Sequence, residues 1–127
     1  MKMNMKVEQM SKTVELRRHI QRLLKNYYEK VFYRRADVEE EYPYLVYTIE
    51  DIFQAKVLNI DIWSQGSNTE EVETIADIIE KIDKEVITNE NHALILYYNE
   101  DRKWVDDEDK NIQHINLSFE IRYYGKE

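Results

Sequence analysis

The eight residues Lys56–Trp63 alternate without a break. Leu58, Ile60 and Ile62 fall on one side of an extended chain; Val57, Asn59, Asp61 and Trp63 fall on the other. A period of two with one uniformly aliphatic side requires a strand with one face on a core and the other turned away from it. The pattern returns at Ile112–Tyr124. There Ile115, Leu117, Phe119, Ile121 and Tyr123 face one way, and His114, Asn116, Ser118, Glu120 and Arg122 face the other. Ile112 is out of phase with the aliphatic set, which predicts a bulge near Gln113. Two such strands commit the chain to a sheet with one buried face, and other segments must cover that face.

Two segments have helical spacing suited to the task. Leu16, Ile20, Leu23, Leu24 and Tyr27 form one apolar stripe, with Ser11 or Thr13 as the expected cap. Arg17, Arg18, Gln21, Arg22 and Lys25 occupy its other face, which reads as a solvated surface or as a docking face for an acidic neighbour. A second helix is expected over Thr69–Ile87, with Val72, Ile75, Ile79, Ile82 and Val86 buried and Ala76 and Ile78 widening the stripe. Asn68 caps it, with Glu71 completing a capping-box variant. Glu70, Glu71 and Glu73 sit where the helix dipole favours them, and Thr88–Asn91 ends the helix. Met1–Met10 is polar and Met-rich without a firm period, and residues 1–11 are expected to be an arm or a helix extension.

The remaining segments supply strands. Tyr28–Arg35 reads as a short strand and Asp37–Glu41 as an acidic turn; Pro43, lacking a ladder donor, stands at a strand's start. Tyr44–Glu50 is the natural antiparallel partner of Lys56–Trp63, with Asp51–Gln54 as the hairpin tip. Ala93–Tyr98 is a further strand, and Asn99–Lys110 is a charged connection carrying Trp104 and Asp106–Asp109. The order is helix, three strands, helix, two strands. It predicts a single α+β domain over 1–127: a mainly antiparallel sheet of about five strands with two principal helices packed on one face. Leu58, Ile60, Ile62, Ile79, Ile82, Leu117 and Phe119 are the expected core. The second sheet face must be polar or be covered by another subunit.

Composition narrows the chemistry. With 127 residues the chain can bury a core, and with no cysteine it has no disulfide or thiolate site. Two glycines cannot build a phosphate-binding loop, and a net charge of −8 opposes a groove that grips nucleic acid through its phosphates. His19, His92 and His114 have no metal-ligand spacing. Asp61 with Glu50 or Asp51 is the one carboxylate set that raises a metal-dependent nuclease or hydrolase, and outward positions on a strand pair explain it equally well. Asp106–Asp109 lacks the spaced ligands and central glycine of a calcium loop. Tyr44, Tyr97, Tyr98 and Trp63 raise a base-stacking RNA sheet, which the charge opposes. No apolar run reaches membrane-spanning length, and the polar start lacks the core of a signal peptide. The expectation is a protein that is not an enzyme, with no catalytic, metal or cofactor site.

The succession YPYLVYTIE, KVLNIDIWSQGSN, TEEVETIADIIEKIDKEV and HINLSFEIRYYG, preceded by an amphipathic helix, resembles the phage tail terminator, or tail-completion, family. The likeness is to its members in contractile-tailed phages and prophages of Gram-positive bacteria, and it covers about Thr13–Tyr124. The resemblance implies a structural virion protein at the neck of the tail, assembled in the host cytoplasm. It implies a ring, usually a hexamer, on the head-proximal end of the tail tube, which stops tube polymerisation and supplies the docking surface for the head–tail connector. Its implied partners are further copies of itself, the tail tube protein, the connector protein and the sheath, with DNA passing through the lumen unbound and no membrane involved. Arg17, Arg18, Arg22, Asp51, Phe53, Gln54, Trp63 and Trp104 are the residues expected at subunit or partner contacts. A dimeric adaptor or binding domain is the remaining alternative.

Overall fold

The computed structural model describes residues 12–52, 55–88 and 92–125. The expected arm, Ser11, Phe53 and Gln54 lie outside the described residues. In chain order the elements are α1 (Lys12–Tyr27), β1 (Val31–Tyr33), β2 (Tyr44–Ile52), β3 (Ala55–Gln65), α2 (Glu70–Glu80), β4 (Val86–Thr88), β5 (His92–Tyr98), β6 (Lys103–Trp104) and β7 (Ile112–Gly125). The architecture is α+β: two principal helices pack against a mixed, mostly antiparallel sheet. The strand order is β1-β2-β3-β7-β5-β4, with β6 also on β7.

The two alternating segments stand side by side at the centre. β3 and β7 pair from Lys56 opposite Ile121 to Gln65 opposite Ile112. That register places Leu58, Ile60 and Ile62 beside Phe119, Leu117 and Ile115 on one face. Leu45, Tyr47 and Ile49 of β2 continue this inner face on one side; Leu94 and Leu96 of β5 continue it on the other. All seven residues expected in the core have no solvent exposure, and they join Leu16, Ile20 and Leu24 of α1 and Val72, Ala76 and Ile79 of α2 in one cluster. The core therefore lies between the helices and this one face.

The ladder corrects several expectations. No bulge interrupts β7 near Gln113: the register runs unbroken, and Ile112 lies on the outer face opposite Gln65. The first strand is only Val31–Tyr33 and runs parallel to β2. Tyr28 is still held by the end of α1, its amide donating to Leu24 O, and Arg34 turns away with φ 71°. Thr13 lies inside α1 and does not cap it. β2 continues through Ile52, beyond the expected start of a turn at Asp51.

The largest correction concerns the second helix. It ends at Glu80, not Ile87, because Lys81–Glu85 forms a turn with Lys84 at φ 66°. The Lys84 amide donates to Leu96 O, which ties this turn to β5. Ile82 stays buried, but Val86 leaves the buried stripe, is 54% exposed, and begins β4. Thr88 belongs to that strand and does not end a helix. At the other end of α2, Asn68 Oδ1 accepts the Glu70 amide at 2.6 Å, while Thr69 occupies the cap position. The sheet thus has seven strands among the described residues, two more than expected, because β4 and β6 come from segments read as helix and loop.

A polar clamp fastens the connection after β5 to the end of α2. Arg102 donates to Glu80 Oε1 at 2.6 Å and to Asp77 Oδ1 at 2.8 Å. The Tyr98 hydroxyl donates to Glu80 Oε2 at 2.6 Å, and the Tyr98 amide donates to Asp83 Oδ1 at 2.8 Å. Burial, then the bond to Glu80 and its charge, push the Tyr98 phenol up to about 12, against the opposing pull of Arg102. An unfolded tyrosine ionises near pH 10. Between these values the unfolded chain has released a proton that the folded protein retains. Stability contributed by this group is therefore complete below about pH 10 and lost as pH rises toward 12. Alkaline unfolding followed by circular dichroism should show that loss, and Tyr98→Phe should flatten part of it. An unchanged slope in the variant would remove the clamp from the account.

Candidate functional site

The sheet face turned away from the helices carries an aromatic file. Register brings Tyr44 of β2, Trp63 of β3 and His114 of β7 abreast on the outer side. Their rings are in contact: Trp63 stacks on His114 at 4.2 Å between centroids, and Tyr44 lies 5.6 Å from Trp63. Tyr42, just before β2, stacks on Tyr44 at 5.2 Å, and Phe32 of β1 meets Tyr44 edge-on at 6.2 Å. All five rings are half-buried within the single chain. Between them Val46, although on the outer face, is buried.

Strands about 4.8 Å apart explain the stacking. Rings on neighbouring strands at that spacing come into contact: Trp63 stacks on His114, Tyr44 is tilted against Trp63 by 36°, and Phe32 meets Tyr44 by its edge. The file is therefore an apolar ridge three strands wide. Tyr98, one of the residues that raised a base-stacking sheet, points the other way and packs on Phe119 at 5.0 Å.

Asp61 sits next to the file and holds it in place. Its Oδ1 is 2.7 Å from His114 Nε2 and accepts Asn116 Nδ2 at 3.0 Å. A carboxylate only accepts, so His114 donates through Nε2, which fixes its ring against Trp63. Asp61 lies opposite Val46, whereas Asp51 lies opposite Lys56 and pairs with it at 2.8 Å. The two carboxylates are thus five positions apart along β3, about 17 Å at the rise of a strand. Glu50 is one position from Asp51 and faces outward opposite Val57. Among the described residues no three metal-ligating side chains gather in one place.

The residues expected at contacts do not converge. Trp63 is the centre of the aromatic file. Arg17 is half-buried, not solvated: its guanidinium lies over the Tyr33 ring at 4.9 Å, and its carbonyl is 3.3 Å from the Tyr47 hydroxyl. Gln21 is likewise drawn inward, accepting that hydroxyl at 2.5 Å. Arg18 and Arg22 remain exposed on α1, with Lys25 continuing the row. Asp51 is exposed at the far end of the β2–β3 hairpin, and Phe53 and Gln54 lie outside the described residues. Trp104 stands alone at the sheet margin on β6, 49% exposed. Residue-level reading did not single out Tyr42, or His114 as a partner of Trp63. The signal lay in the register, which aligns Tyr44 and His114 with Trp63 across nineteen and fifty-one residues of sequence.

Compared with known proteins, the chain matches no family model and no curated protein. Function has to be argued from the surface itself.

Proposed function

We propose that this chain is a structural virion subunit of the tail-terminator type. It closes into a ring on the head-proximal end of a tail tube, ends tube growth and offers the surface on which the head connector docks. The observation that carries the reading is the half-buried aromatic ridge on the sheet face turned away from the helices. A sheet in a lone domain turns polar side chains outward, as Thr48, Asn59 and Ser118 do here; Phe32, Tyr42, Tyr44 and Trp63 on the same face suit a surface that another subunit covers. Support also comes from charge. A chain of net charge −8 lines a channel without holding DNA, since binding would need clustered cations to displace counterions. The resemblance in element order supplies the particular kind of ring.

The test is mass in solution over a concentration series, together with electron microscopy of the protein alone and mixed with tail tubes. The expected result is a ring of hexamer size that caps tube ends and blocks their elongation. A protein that stays monomeric and never marks a tube end would overturn the reading, and a stable dimer would favour an adaptor domain instead.

A further inference from the structure

A groove of about 470 Å³ runs between α1 and the edge strand β4. Leu23, Val86 and Ile87 give it apolar walls, and His19, Arg22 and Asn26 stand along its helical side. Val86 is among the most exposed aliphatic side chains of the protein. Among the described residues β4 pairs only with β5, and no described strand takes its other edge, on the side of the groove. Arg18, Arg22 and Lys25 follow one another at helical spacing and keep the rim basic. Glu85, the one carboxylate among the described residues that line the groove, is engaged by the Tyr27 hydroxyl at 3.0 Å.

The same chain carries a segment of complementary chemistry. Trp104 and Val105 are 49% and 40% exposed, and Asp106, Asp107, Glu108 and Asp109 follow them, all exposed. The segment is held in shape at both ends. The Val105 amide donates to His114 O, Asp107 Oδ1 accepts the Asp109 amide, and Asp109 Oδ1 accepts the Asn111 amide. Presenting it therefore costs little further ordering.

Groove and segment cannot meet within one copy. β6 pairs with β7 at Ile115 and Asn116, whereas β4 reaches the sheet through β5 opposite Arg122–Tyr124. Six or more positions separate them along β7, roughly 20 Å. Two unlike, complementary patches at opposite ends of the strand direction define a head-to-tail contact, which closes into a ring or runs on as a filament. We infer that Trp104–Asp109 of one copy docks in the α1–β4 groove of the next, with Trp104 and Val105 against Leu23, Val86 and Ile87, and the carboxylates beside Arg18 and Arg22. This rests on the ring reading and names the joint that builds the ring.

The experiment is sedimentation velocity on the full chain at low salt, with Arg22→Glu, Glu108→Lys, Trp104→Ala and the pair Arg22→Glu/Glu108→Lys. Both charge positions are exposed, and a thermal melt of each variant verifies folding. Each single change should weaken association at least tenfold, the charge-swapped pair should recover most of it, and rising salt should weaken the wild type. If the wild type assembles and the single variants assemble equally well, the joint lies elsewhere while the ring reading stands. Strictly additive losses in the pair would also overturn the joint. A wild type that never associates overturns both.

Discussion

Phe119→Ala should lower folding stability by roughly 3–5 kcal/mol, the largest single loss expected in the protein. Phe119 is fully buried at the middle of β7, opposite Leu58 on one side and Tyr98 on the other. The Tyr98 ring packs on it at 5.0 Å, and the strands on both flanks are fixed by their own ladders. The neighbours therefore cannot collapse into the vacated space, and a cavity adds to the lost transfer energy. Ile60→Ala, one strand away and also without exposure, should cost about 2–4 kcal/mol. The readout is the urea midpoint at unchanged m-value. Losses near zero at both positions would mean that the inner face is assigned to the wrong side.

Trp63→Ala should act on two properties at once. Trp63 is the middle ring of the outer file, between Tyr44 and His114. Its removal leaves both neighbours without their partner, for a stability loss of about 1–3 kcal/mol. If the chain assembles as proposed, association should suffer more. A tryptophan at the centre of a docking surface commonly carries a large share of the binding energy, and a tenfold loss corresponds to about 1.4 kcal/mol. Self-association and co-sedimentation with tail tubes should be scored in parallel, and at least one should fall tenfold or more. Trp63→Phe keeps a ring in the file and should recover most of the stability. If Trp63→Ala assembles and binds tubes like the wild type, the ridge is a feature of the fold alone.

What the sequence made legible follows from the range of each signal. Leu58-Ile60-Ile62 and Ile115-Leu117-Phe119-Ile121 are long enough for a period of two to stand out, and both strands lie where that period puts them. β4 and β6 have three and two residues, shorter than any window in which alternation can be told from chance. Val86 misled for a specific reason. It lies four residues beyond Ile82, so it continues a helical stripe on paper, although Lys84 at positive φ has already broken the helix. Arg17 and Gln21 looked solvated because a helical wheel contains no tertiary partner. The Tyr33 ring holds the Arg17 guanidinium, and the Tyr47 hydroxyl, placed under α1 by the β2 register, recruits Gln21. The aromatic file was hidden for the same reason: Tyr44, Trp63 and His114 are ordinary strand residues until two ladders put them in line.

The placement of β7 has a consequence for how the protein comes into being. It is the last element in chain order, yet it is the hub to which β3, β5 and β6 all bind. While residues 112–125 remain in the ribosome, β3 lacks one neighbour and the pair β4–β5 has nothing to join. The β1–β2–β3 half and the β4–β5 half are then two fragments with bare edges and half a core each. Sheet closure waits for β7, and it relies on contacts of long sequence separation, which slow folding. During synthesis the nascent chain exposes strand edges of the kind that aggregate or recruit chaperones.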